Sequence, residues 1–168
     1  MKKYFIILSL VFFVFACNNS DNDSDQANND SIPVVQLANF DAEASEYVDK
    51  QIKINGIIDH VCKHGGKKLL VVNQEGTADI HVESDIRFND SLAGSEVTII
   101  GVVTEFRIDE AYCQKLETDA LNEHAEGDDA DEVMESKIKQ AQFYRDSMQS
   151  TGVDHLSFYS LEFIKFVK

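Results

Sequence analysis

Two long apolar stretches, each broken near its middle by a single glycine, constrain this chain more than any other feature. Residues 51–61 hold Gly56 and residues 96–106 hold Gly101. Apolar and polar residues alternate through much of both, the period of a strand with one buried face. Glycine weakens a flat strand, because it adds no packing surface and costs backbone entropy. It belongs where a strand must coil sharply enough to serve both halves of a closed sheet. Further strand-like segments occupy residues 68–73, 77–83 and 156–167, the last rich in Phe, Tyr, Leu and Ile. Five strands, two of them coiled, predict a mainly β fold: a five-stranded closed barrel of the OB type. An open antiparallel sheet with a helical hairpin on one face is the alternative. No strand–helix–strand alternation is present, which excludes a doubly wound sheet.

Helical periodicity is confined to the segment between the fourth and fifth strands. Asp109 is a good N-cap, and Tyr112, Leu116 and Ala120 follow at spacings of four. Asp131 reads as a second N-cap, with Met134, Ile138, Ala141 and Met148 on one face behind it and Gly152 as a stop. The predicted barrel therefore carries a helical insertion over residues 109–151. Residues 34–48 predict a short helix packed on the bottom of the barrel. The insertion is strongly charged: from Glu117 through Glu135 there are nine acids and no Lys or Arg. That run lacks the spacing of a calcium loop and reads as a solvated helix junction.

The first 16 residues are set apart. Lys2 and Lys3 precede an apolar run from Tyr4 to Ala16, interrupted only by Ser9. Those 13 residues would span roughly 20 Å as a helix, short of a ~30 Å hydrocarbon core, so the segment reads as a cleaved leader. Val14-Phe15-Ala16-Cys17 resembles the processing site of bacterial lipoproteins. The expectation is a signal peptide over 1–16, acylation (palmitate among the acyl groups) at Cys17, and a disordered acidic tether over 17–31 leading to a folded domain over 32–168. Asn18, where inner-membrane retention signals carry Asp, favours the outer membrane as the location. Two or more acyl chains hold a protein stably at a membrane.

Charge narrows the partners. The chain has 15 basic and 30 acidic residues; without the leader, 13 bases face 30 acids, a net charge of −17. Such a protein repels phosphate backbones. No paired carboxylates, nucleophile–base arrangement or phosphate-cradling loop stands out, so no enzyme is expected.

The chemistry-bearing residues cluster between the first two strands, in His60-Val61-Cys62-Lys63-His64-Gly65-Gly66-Lys67-Lys68. Residues two apart share a strand face about 6.6 Å apart, and a turn at Gly65-Gly66 would let His64 join His60 and Cys62 around one ion. Imidazole and thiolate suit Zn or Cu. Cys113 opens the second connection that OB folds use for ligands and is a fourth possible metal ligand. With Cys17 acylated, Cys62 and Cys113 are also the remaining pair in an oxidising compartment, where a disulfide could pin the insertion to the barrel. The two readings exclude each other, and a third leaves the cysteines as plain thiols. Lys63, Lys67 and Lys68 form a basic knuckle able to meet an anion, a glycan acid or a nucleic acid. Nucleic-acid faces also need exposed aromatic platforms. His81, on the third strand, reads as an ordinary sheet histidine.

Together with Gly94-Ser95-Glu96-Val97, Gly101, Asp109-Glu110-Ala111-Tyr112 and the tail from His155 to Phe163, the stretch 56–68 resembles the OB-fold lipoproteins classed as tRNA-anticodon-binding-like. The resemblance covers about residues 49–166. It implies a fold and an envelope location, and its label implies single-stranded nucleic acid, against which charge and compartment both argue. The functional expectation is a lipid-anchored envelope binding module holding a soft metal at His60, Cys62 and His64. The alternative is a protein- or glycan-binding adaptor with structural cysteines.

Overall fold

The β-rich pattern closes on itself. In the computed structural model, which describes residues 31–123 and 130–167, five strands form a closed barrel in the order β1-β2-β3-β5-β4. They are β1 (Gln51–Val61), β2 (Lys68–Val72), β3 (Asp79–Glu83), β4 (Glu96–Asp109) and β5 (His155–Val167). All neighbours are antiparallel except β3 and β5, which meet in parallel. This is the OB-type barrel with a helical insertion between β4 and β5, and not the open sheet. The predicted leader, Cys17 and the tether up to Asp30 lie outside the described residues, as does the middle of the acidic run.

Both mid-strand glycines stand where strands crowd. β1 pairs β4 as far as Ile57, opposite Glu96, and pairs β2 from Ile57 onward. At the changeover, a Cβ on Gly56 would lie 2.6 Å from Val71 Cγ1 and 2.7 Å from the Val72 carbonyl oxygen. A Cβ on Gly101 would lie 2.5 Å from the Glu162 carbonyl oxygen, where β5 bulges against β4. No side chain fits between backbones at those distances.

The barrel interior is filled by alternate residues of every strand: Ile52, Ile54 and Ile58 of β1, Leu69 and Val71 of β2, Ile80 and Val82 of β3, Ile99 and Val103 of β4, and Leu161 of β5. Each such aliphatic side chain contributes about 1.5–3 kcal/mol on burial. The segment before β1 adds Leu37, Phe40 and Ala44 to the same core through short turns flanking α1 (Phe40–Glu43). It is thus a succession of single turns where one short helix was expected. It is stitched to β1 by Val35 N–H to the Lys53 carbonyl at 2.9 Å and Lys53 N–H to the Pro33 carbonyl at 2.8 Å.

β4 runs to Asp109, three residues beyond its expected end, and α2 (Glu110–Glu123) follows directly. Asp109 caps it as expected, its Oδ1 accepting the Tyr112 N–H at 2.9 Å. α3 (Ala130–Thr151) includes Asp131 within its first turn, so that residue is not a cap. The expected apolar face of α3 is realised in part: Ala141 and Met148 are buried, while Ile138 is exposed. With Ile108 and Cys113 they form a second small core, flanked by Tyr112, Leu116, Tyr144 and Leu156. Among the described residues no helix is long and apolar enough to cross a membrane.

Candidate functional site

The His60–His64 motif spans the end of β1 and the turn into β2, and the fold disperses it. The β1–β2 register slips between Ile58 and His60, a bulge that leaves Asp59 and His60 both exposed. His60 Nδ1 lies 2.7 Å from Asp59 Oδ2, and His60 stands opposite Leu70, which stands opposite His81. The two histidines therefore flank Leu70 on the outer face of the sheet. Cys62 is half-buried and its N–H donates to the Lys68 carbonyl at 2.9 Å. His64 sits exposed in the turn.

The glycines of that turn have a geometric reason. Gly65 and Gly66 take φ of 85° and 64°, the left-handed region that favours glycine. Gly66 also lets the Arg87 side chain cross it, and its carbonyl accepts the Phe88 N–H at 2.8 Å. Lys63, Lys67 and Lys68 are exposed around this turn, and Lys68 Nζ donates to Glu83 Oε1 at 2.8 Å.

Among the described residues no group of three His, Cys, Asp or Glu side chains stands ready to hold a metal ion, so the expected set of His60, Cys62, His64 and Cys113 is not brought together here. Nor do Cys62 and Cys113 form a disulfide; both are free. The register explains both findings. Cys62 adjoins Lys68, which pairs across β3 and β5 (Glu83, Glu162) to Val102 of β4. Cys113 lies beyond Asp109, and Val102 to Asp109 alone runs about 23 Å at ~3.3 Å per residue, whereas a disulfide holds its Cα atoms within about 7 Å. Cys113 instead packs fully buried with Ile108, Ala141 and Met148. Burial pushes its thiol pKa up, which keeps it protonated and a poor ligand.

Within the insertion, Arg145 ties the two helices to each other. Its guanidinium on α3 donates to Glu117 Oε1 at 2.5 Å and to Glu110 Oε2 at 2.9 Å, both on α2. These hydrogen bonds hold both carboxyls below the usual carboxylate range.

A roomy concavity lies elsewhere. A groove of about 840 Å³ opens between the segment before α1, the β2–β3 turn, the first residues of β4 and the end of β5. Gln36, Asn55, Asn73, Gln74, Ser95 and Thr98 supply amides and hydroxyls to it, with Ile57, Val97 and Phe166 among the apolar lining. Glu75 and Glu96 are its charged groups. The walls are preorganised. Thr98 Oγ1 donates to Asn55 Oδ1 at 2.7 Å across β1 and β4. Asn73 Oδ1 accepts the Thr77 N–H at 2.8 Å and the Ala78 N–H at 3.2 Å, which shapes the turn carrying Gln74 and Glu75. Motif reading missed this groove, because its lining comes from separate segments of residues 36–167 and includes no residue type that signals chemistry alone.

No protein-family model matches this sequence, and no curated protein matches it either. Among solved structures, the chain is similar to one described as an aspartyl-tRNA synthetase from Leishmania major Friedlin, at 17% identity and a TM-score of 0.30 over 51% of this chain. The aligned part spans 18% of that protein's length. A superposition so slight carries no argument about function.

Proposed function

We propose that this chain is a non-catalytic OB-fold binding module, anchored through Cys17 to a bacterial envelope membrane, and that its groove takes a neutral, hydroxyl- and amide-rich glycan. The chemistry of the groove carries the reading. Side-chain amides offer donor and acceptor together, which matches the hydroxyl and acetamido groups of an amino sugar. A groove of about 840 Å³ is within the range of small-ligand sites, roughly 300–1,000 Å³. Glu75 and Glu96 disfavour sugar acids, as does the net charge of −17 without the leader. In this reading the ligand lies away from the basic knuckle of Lys63, Lys67 and Lys68. The Cys17 anchor and the acidic tether account for how such a module would be held near an envelope polymer.

The test titrates chitotetraose, a neutral oligomer of N-acetylglucosamine, into the chain beginning at Asn18, followed by amide NMR. Shifts confined to Asn55, Gln74, Ser95 and Thr98 are expected, with binding weakened roughly tenfold by Asn55→Ala plus Gln74→Ala, equivalent to about 1.4 kcal/mol. No shift at these amides up to about 10 mM sugar, a threshold weaker than about −2.7 kcal/mol, would sink the glycan reading.

A further inference from the structure

The two strands that carry the helical hairpin leave the barrel as a ribbon with an open edge. β4 pairs β1 only as far as Val102, opposite Gln51, with one further bridge from Val103 to Val48. β3 meets β5 only at Val82–Leu161 and Glu83–Glu162. From His155 to Ser160, β5 therefore has β4 on one side and, among the described residues, no strand on the other. Soluble proteins commonly blunt such an edge with Lys or Pro. The edge here reads His-Leu-Ser-Phe-Tyr-Ser and has neither.

Beside the edge is an exposed apolar surface. Side chains two apart share a face, so the cross-strand pairs Val102–Glu162, Thr104–Ser160 and Phe106–Phe158 lie in succession on one side of the ribbon. Phe106 and Phe158 are each 51% exposed. Phe106 meets Tyr112 of α2 edge-on, ring centres 5.2 Å apart, which holds it in place.

Local charge selects what covers this surface. At the barrel end of the same face, Glu83, Asp85 and Glu162 line a hollow of about 210 Å³ with Ser84 and Thr104. Lys68 offsets Glu83 alone. A second copy of the chain would bring like charges together, and nucleic acid or an anionic lipid surface would be repelled. An extended peptide with cationic and apolar side chains meets each requirement: its backbone completes the edge, a Lys or Arg faces the carboxylates, and an apolar side chain covers the two phenylalanines.

We propose that the β5 edge from His155 to Ser160 is a strand-addition site for a basic, extended segment of a partner protein. The site is separate from the glycan groove, and its test is independent of that reading. The probe is a fluorescein-labelled decapeptide alternating Lys with Val, compared with its Glu-for-Lys counterpart, on the chain beginning at Asn18. The Lys peptide is expected to bind at least about tenfold tighter than the Glu peptide, and to slow hydrogen exchange at the amides of residues 155–160. Phe106→Ala with Phe158→Ala should weaken it roughly tenfold, as should Asp85→Lys with Glu162→Lys, with each variant's circular dichroism unchanged. Equal binding of the two peptides overturns the proposal. So does binding insensitive to the phenylalanine pair, or exchange protection outside β5. Salt-stable self-association of the protein through the same phenylalanines would assign the edge to a second copy and overturn it equally.

Discussion

Arg145 of α3 holds Glu117 of α2 at 2.5 Å while its other nitrogens hold Glu110, so one guanidinium ties the helical hairpin together. The second core beneath is small, Ile108, Cys113, Ala141 and Met148, and the helices are acidic. The ion triad and that core are the main bonds within the insertion, whereas the barrel depends on neither.

Acid should therefore loosen the hairpin before the barrel. Glu110 and Glu117 have folded pKa values below the ordinary 4.5. A depressed carboxyl stabilises the folded state above its unfolded pKa, and that stabilisation disappears as pH falls through the folded value. Amide NMR on acidification below about pH 4.5 is expected to show α2 and α3 signals weakening ahead of β1 and β2. Arg145→Ala should already show the weakened hairpin at neutral pH and little further separation in acid. Simultaneous loss of helices and barrel in both proteins would show that the triad contributes nothing local.

Gly101→Ala should destabilise the barrel by about 1–3 kcal/mol, the cost of overpacking, because the added methyl meets the Glu162 backbone and Leu161 at 2.5 Å. Gly94→Ala offers a contrast: nothing lies within 4 Å of its Cβ, and only a φ of +80° opposes it. That strain costs about 1–2 kcal/mol. Urea midpoints that rank Gly94→Ala as the worse variant would contradict the crowding seen at Gly101.

Thiol reactivity separates the two cysteines. In the chain beginning at Asn18, a thiol reagent should titrate Cys62 in the native state and Cys113 only after unfolding, since Cys62 is half-buried and Cys113 is fully buried. Cys113→Ser places a hydroxyl among apolar groups and should cost about 1–3 kcal/mol; Cys62→Ser should be nearly neutral. Native protein with no reactive thiol would restore the disulfide.

Metal loading is expected to leave less than one equivalent of Zn or Cu after desalting, unchanged by Cys62→Ser, because the His60–His64 motif does not converge. Stoichiometric metal lost on Cys62→Ser would show that the turn rearranges around an ion.

The barrel was legible because it rests on local rules. Alternation over 51–61 and 96–106 marked two strands, Gly56 and Gly101 marked their coiling, and Asp109 marked the helix start. The sites were less legible. His60, Cys62 and His64 are neighbours in sequence, but a one-residue bulge at Asp59 and two left-handed glycines turn them apart. Ile138 has the spacing of a core residue, yet it stays exposed.

By itself, then, the sequence determined the strand number, the glycine-coiled closure, the helical insertion and the acidic character, since each follows from periodicity, steric freedom or charge carried by residues near one another. Tertiary structure alone decided which side chains meet. Strand register separated Cys62 from Cys113 by most of the length of a ribbon. Closure of the barrel gathered Gln36, Asn55, Gln74 and Thr98 around one groove. The parting of β4 and β5 from their neighbours left one edge open, because register and closure couple residues far apart in the chain and no local pattern encodes them.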